Sequence, residues 1–169
     1  MLYAKWIHGS EDIAEAKQVR QAVFVDEQGY TPEQEFDATD ALSWHVVALD
    51  EETPVGTGRL YVQDGQYCLG RLCVLPEYRG QGIGEAMVGL LIDRAMMIGA
   101  PGLHVYAQVQ AQPFYEKCGF EVTGEPYTKE GDSREHVDMY LSAEKIAANG
   151  CGGGCGSCGG GCGGCSGCC

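Results

Sequence analysis

Between Leu69 and Gly84 the chain reads L-G-R-L-C-V-L-P-E-Y-R-G-Q-G-I-G, and this stretch restricts the possible folds more than any other. The apolar run Leu72–Leu75 has the length and composition of a buried strand. Pro76 ends it, and Arg79-Gly80-Gln81-Gly82-Ile83-Gly84 leads into a helical pattern from about Gly82 to Ile98. Ile83, Met87, Leu90, Leu91, Arg94, Ala95 and Ile98 fall on one side of that helix, the side that faces a sheet. A strand that turns through glycines into a helix start aims several free backbone N–H groups at one point. The positive end of the helix dipole lies behind them, which makes an anion cradle suited to phosphate. Taken alone, the glycines are also readable as a tight turn on close packing.

The flanking segments decide what kind of cradle this is. Downstream, Gly99 is a C-cap, Pro101 prevents continuation, and Leu103–Ala107 is a strand, so strand, helix and strand form a parallel crossover. Upstream, Trp44–Leu49, Val55–Val62 and Tyr67–Leu75 are strands joined by short turns and are expected to pair antiparallel. A dinucleotide-binding crossover needs the glycine motif after the first of several parallel strands, so that reading fails. No Gly-Lys-Ser/Thr follows, so a P-loop fails too.

The remaining elements are a first strand, Leu2–Ile7, and a helix over about Glu11–Val25 with Ser10 as its N-cap. Asp26–Asp40 reads as an acidic loop. A short helix spans about Ala111–Cys118, and Phe120–Thr128 and His136–Leu141 form a closing hairpin across Lys129–Arg134.

Composition divides the chain at one place. Residues 151–169 contain only ten Gly, seven Cys and two Ser, so a body over 1–149 is expected with a disordered tail over 150–169. The formal charge of −13 lies entirely in the body and disfavours nucleic acid and anionic membrane as partners. The N-terminus lacks the apolar core of a signal peptide and no run approaches membrane-spanning length, so a cytoplasmic location is expected.

Some thirty residues after the cradle comes F-Y-E-K-C-G-F, at Phe114–Phe120. With V-L-P-E-Y-R-G-Q-G-I-G and its amphipathic helix, this motif resembles the GNAT N-acetyltransferase superfamily, and the resemblance covers the body in element order. V-F-V-D-E-Q-G-Y at Val23–Tyr30 and E-F-D at Glu35–Asp37 look like the ElaA-type branch. The resemblance implies an α/β (α+β) fold: a mixed, mostly antiparallel sheet with one splayed parallel pair, flanked by helices. It implies acetyl-CoA as co-substrate, its pyrophosphate held by backbone N–H groups of Gln81, Gly82, Ile83 and Gly84, with Gly80 and Arg79 beside them. Cys73 and Val74 would pair through their backbone with the pantetheine arm, and a backbone N–H there would polarise the thioester carbonyl. Tyr115 matches the family's general acid toward the departing thiolate. Phe114 is a core residue or a wall against the cofactor, and Gln110 stands where many members carry a cofactor-contacting asparagine.

The acceptor implied is a primary amine, small-molecule or peptide, on a monomer or homodimer. An amine of pKa near ~10 must lose a proton before it attacks. Glu35 and His45, with Glu27, Asp37, Arg71 and His104, are the candidate acceptor-side groups, each also readable as a surface or structural residue. The tail cysteines Cys151, Cys155, Cys158, Cys162 and Cys165 have spacings that suit a soft metal or an iron–sulfur cluster. A substrate segment for heterocycle formation and a plain thiol-bearing appendage remain open beside that reading. The rival to an enzyme is a non-catalytic acyl-CoA-binding module whose tail supplies metal or redox chemistry. Cys68 and Cys118 read as small packed residues.

Overall fold

The computed structural model describes residues 1–150. Four strands form a meander: β1 (Leu2–His8), β2 (Trp44–Asp50), β3 (Thr53–Gln63) and β4 (Gln66–Val74), each antiparallel to the next. β5 (Gly102–Gln108) lies parallel to β4, and β8 (Glu135–Ser142) runs antiparallel to β5. The two-residue strands β6 (Glu121–Val122) and β7 (Tyr127–Thr128) both pair with β8, so the expected closing hairpin is two short pairings on one long strand. The result is an open mixed sheet of mostly antiparallel strands with a single parallel pair.

Helices cover both faces. On one face α3 (Ile83–Met97) buries Ile83, Met87, Leu91 and Ala95 against Val46, Val55, Leu60 and Leu69. Leu90 and Arg94 sit at the margin of this contact and Ile98 is exposed, so the apolar stripe is narrower than its sequence. Arg94 belongs there because its guanidinium lies 4.4 Å from the ring centre of Trp6 and 3.8 Å from that of Trp44. On the other face α1 (Ala14–Arg20) packs Ala16 with Ile13 on Ile7, Val47 and Leu49, while Val19 meets Val23 and Cys73.

The front of the chain departs most from expectation. α1 starts at Ala14, not Glu11, because Ser10 turns its hydroxyl to His8 Nδ1 (2.7 Å) and Asp12 Oδ1 accepts the Ala14 N–H instead. From Gln21 to Glu27 the chain winds as a π-helix, with Gln28 N–H bonded to Val23 O at 3.0 Å. The segment read as loop holds a helical turn, α2 (Pro32–Glu35), closed by a Thr31/Gln34 capping box, and a 3-10 turn over Ala38–Leu42. A last helix, α5 (Ala143–Gly150), follows β8 directly. The tail cysteines lie outside the described residues. Among the described residues no helix is long and apolar enough to cross a membrane.

Candidate active site

β4 and β5 touch over only two residue pairs, Cys68–His104 and Leu69–Val105. The reason is a bulge one residue further on. Against β3, Arg59 pairs with Gly70 and Thr57 with Cys73, so Arg71 and Leu72 together face the single residue Gly58. Arg71 adopts φ 52°, a left-handed conformation unusual for a side-chain-bearing residue. The extra residue bends β4 away from β5, and a cavity of about 550 Å3 opens between them.

Strand geometry assigns the backbone groups of this wall. Leu75 N–H bonds Val55 O at 2.9 Å, so residue 75 points toward β3. N–H and C=O alternate direction along a strand, so Cys73 also points to β3, while Val74 and Leu72 point into the cleft. Of the pair read from the sequence, Val74 is therefore the residue with backbone on the cleft. Arg79 Nε donates to its carbonyl oxygen at 2.9 Å. Cys73 contributes a buried side chain, and burial pushes its thiol far above the usual range.

The turn after β4 carries the cradle. Gly80 has φ 74° and Gly82 φ 78°, both left-handed, and Gly82 is the N-cap of the 15-residue helix α3. The first bond that closes the helix runs from Ala86 N–H to Gly82 O, leaving the amides at Gly82, Ile83 and Gly84 without a backbone acceptor. A Cβ at Gly80 or Gly82 would meet nothing within 4 Å, so glycine is required there for its φ and for open approach. Gly84 differs: a Cβ there would stand 3.2 Å from the Phe114 ring, so this glycine lets α3 and α4 (Gln112–Lys117) come together. Phe114 is thus a packing partner of the cradle helix. Gln81 donates from Nε2 to Glu77 O at 3.3 Å.

Arg79 forks across the cleft mouth onto Glu27, with Nη1–Oε1 2.9 Å and Nη2–Oε2 2.7 Å. These hydrogen bonds hold the Glu27 carboxyl below its ordinary range. Tyr115, on α4, lines the cavity and sits edge-on to Phe114 and Phe120. Burial pushes its phenol far up, and its hydroxyl has no hydrogen-bond partner among the described residues. Gln110 reaches the cavity by donating to Gln108 Oε1 (2.9 Å), and Gln108 in turn donates to Gln28 Oε1 and the Tyr30 hydroxyl.

Two predicted acceptor-side groups have other employment. Arg20, wholly buried, bonds Glu35 Oε1 at 2.6 Å and Asp40 Oδ1 at 2.7 Å. Arg59 binds Asp37 and Asp40, and Arg71 binds Glu35 Oε2 at 3.1 Å and Asp37. Glu35 does line the cavity, with Oε1 held by Arg20 and Oε2 by Arg71, and burial outweighs these guanidiniums and raises its carboxyl above the ordinary range. Burial would raise the Asp40 carboxyl, yet Arg20 and Arg59 outweigh it and keep it below its ordinary range. His45 is fully buried away from the cavity, its Nε2 donating to Asp40 O at 3.1 Å, and burial lowers its pKa. It is corrected from acceptor-side group to a neutral core histidine beneath the Ala38–Leu42 turn.

Another wall of the cavity comes largely from residues given no role in the sequence reading. Tyr30 donates to both Asp132 oxygens, at 3.1 and 3.0 Å, and burial together with that anion pushes its phenol up to about 12. Lys129, Glu130, Asp132 and His136 line the same cavity, with Tyr106 and Gln108 from β5. The signal in the sequence was K-E-G-D-S-R-E-H, five kinds of titratable group packed into one hairpin connection and the start of the strand after it.

Comparison with known proteins places this geometry. Residues 41–122 match the model of an acetyltransferase (GNAT) domain. The uncharacterized N-acetyltransferase YjcF of Bacillus subtilis is 42% identical over 115 residues, covering 68% of this chain and 82% of YjcF. The crystal structure of Escherichia coli ElaA superposes with a TM-score of 0.73 at 25% identity, over 83% of this chain and 99% of ElaA. An acyl-CoA N-acyltransferase from Pseudomonas aeruginosa superposes with a TM-score of 0.74 at 26% identity, over 84% and 100%.

Proposed function

The chain belongs to the GNAT family of acetyltransferases, and from that membership we propose that it moves an acetyl group from acetyl-CoA directly to a primary amine. The observation that carries the proposal is the bulge-opened cleft between β4 and β5, which is lined by Arg79, just before the glycine turn, and by Tyr115. In this reading the amides of Gln81, Gly82, Ile83 and Gly84 hold the pyrophosphate at the helix N-terminus, with Gly80 supplying the turn. Arg79 exchanges Glu27 for a phosphate oxygen. The pantetheine arm lies along β4 as a short extra strand, bonding the cleft-facing backbone of Val74, while the Leu72 N–H polarises the thioester carbonyl.

The chemistry needs no acyl-enzyme. The acceptor amine attacks the carbonyl carbon, the C–S bond breaks, and Tyr115 protonates the leaving thiolate. Burial keeps the phenol protonated, so it holds the proton that the leaving thiolate takes up. Cys73, Cys68 and Cys118 all have thiols raised by burial, which disfavours a thiolate nucleophile.

Release of free CoA from acetyl-CoA, measured against a panel of polyamines, amino acids, amino sugars and peptide N-termini, tests the proposal. Turnover with at least one amine supports it. Tight CoA binding with no release from any of them would replace the enzyme by a non-catalytic acyl-CoA-binding module.

A further inference from the structure

We propose that His136 is the general base that takes a proton from the acceptor's ammonium group, with Asp132 and Tyr30 as its positioning residues. The inference rests on the acyl-transfer reading above and adds the component that reading lacks.

His136 stands on β8 opposite Gln108 of β5, in the wall of the same cavity that holds Tyr115. Its Nδ1 lies 3.0 Å from Arg134 O, and a carbonyl only accepts, so Nδ1 carries the hydrogen. Nε2 is then left with a free lone pair and has no hydrogen-bond donor among the described residues. Asp132 Oδ2 lies 3.7 Å from Nε2, too far for a hydrogen bond to neutral imidazole and near enough to stabilise imidazolium. Asp132 cannot swing away, because Tyr30 donates to both its oxygens and the Arg134 N–H donates to Oδ1 at 2.8 Å.

The charges facing the imidazole keep it neutral at rest. Burial lowers its pKa first, Lys129 from the hairpin connection adds to this, and Asp132 opposes it. Arg134, on the same connection, opposes it through its carbonyl and adds to it through its charge. From β7 the Tyr127 ring lies 6.3 Å away, and β5 contributes only neutral Gln108 opposite. A neutral histidine with one open nitrogen, beside a fixed carboxylate, is a competent proton acceptor.

The protons balance as follows. An ammonium R–NH3+ gives one proton to Nε2, forming imidazolium and R–NH2. The amine nitrogen bonds to the thioester carbon, the C–S bond breaks, and Tyr115 gives its proton to the thiolate. A second nitrogen-bound proton returns to the phenolate, the third stays in the amide, and imidazolium releases its proton to solvent. The products are amide, CoA thiol and one proton.

The test is the pH dependence of kcat/KM for the full-length chain and its His136→Gln variant, using acetyl-CoA and the panel amine that releases CoA fastest. At pH 7 the variant is expected to be slower by about 10²–10⁴-fold with CoA affinity unchanged. The deficit should shrink by about tenfold per pH unit toward pH 10, as the amine arrives already deprotonated. A deficit constant across pH, or full activity, would overturn the assignment. In Asp132→Asn the ascending limb of the profile should move to lower pH, because the anion that stabilises imidazolium is gone; a limb that stays in place counts against it. If His136→Gln does not fold, that second variant carries the test. Failure of the wild type with every amine overturns the acyl-transfer reading, an outcome distinct from an active wild type matched by its variant.

Discussion

Along the β4–α3 turn, next to the cleft, the chain presents backbone: two left-handed glycines and a row of amides without a backbone acceptor, with no side chain required to point anywhere. Across the cleft the wall is side chain. Arg20, Arg59 and Arg71 tie Glu35, Asp37 and Asp40 into one network, which pins the segment 26–42 against β3 and β4. The backbone wall depends on conformation and is sensitive to whatever restricts φ. The side-chain wall depends on matched charge taken out of water, and is sensitive to removal of one partner. The contrast yields distinct failures, one in affinity and one in stability.

The largest effect should come from the network. Arg20→Met leaves Glu35 and Asp40 buried opposite no guanidinium at that position, and should cost about 3–5 kcal/mol in urea unfolding. If the loss is under about 1 kcal/mol, the side-chain wall is not held by charge and the contrast breaks. The network also fixes an acid limit. Asp40 and Asp37 have lowered folded pKa values, so their contribution is present above the ordinary carboxylate value near ~4 and is lost as pH falls through the lowered one. Thermal stability should therefore drop steeply on the acid side, and in Arg20→Met that drop should flatten.

Next in size is Tyr115→Phe, which keeps the ring against Phe114 and Phe120 and removes only the hydroxyl. kcat should fall by roughly 10²-fold with CoA affinity and unfolding midpoint held. A full-rate variant would remove Tyr115 from the chemistry. Gly82→Ala is expected to cost about 1–2 kcal/mol of left-handed strain, read in calorimetry as roughly a tenfold loss of CoA affinity. Because a Cβ there meets no atom, a loss in unfolding stability without loss of affinity would show that the turn serves the fold and not the ligand. The smallest change is Glu27→Gln, which frees Arg79 from an exposed pair worth about 0.2–1 kcal/mol. It should tighten CoA binding by a few-fold at most.

The same contrast explains what could be read in the sequence. Leu69–Gly84 is contiguous, and a strand, a proline, glycines and an apolar helix each leave a local mark. The meander followed from short turns between strands, and the parallel crossover from the helix that separates two of them. The network was not legible, because Arg20, Glu35, Arg59 and Arg71 are spread over four elements and nothing local marks them as partners. Ser10 misled because its hydroxyl had a nearer partner in His8, and Arg94 looked out of place until two tryptophans came to flank it. His45 drew notice as a titratable residue on a strand, whereas His136, the histidine that lines the cavity, stands at the start of a strand and was read only as part of the closing hairpin.

The single added residue at Arg71–Leu72 also determines which kinds of inherited change this site can survive. Substitutions along β4 leave the count of residues intact, so the strands stay parted whatever side chains they carry. Loss of one codon there is different in kind: the ladder with β3 would come back into step, one residue opposite Gly58 and Cys73 still opposite Thr57, and the bend would be lost. β4 would then be free to zip onto β5 past Leu69–Val105. A lineage can therefore rewrite the lining of this cleft one letter at a time, but an in-frame deletion of three would erase it.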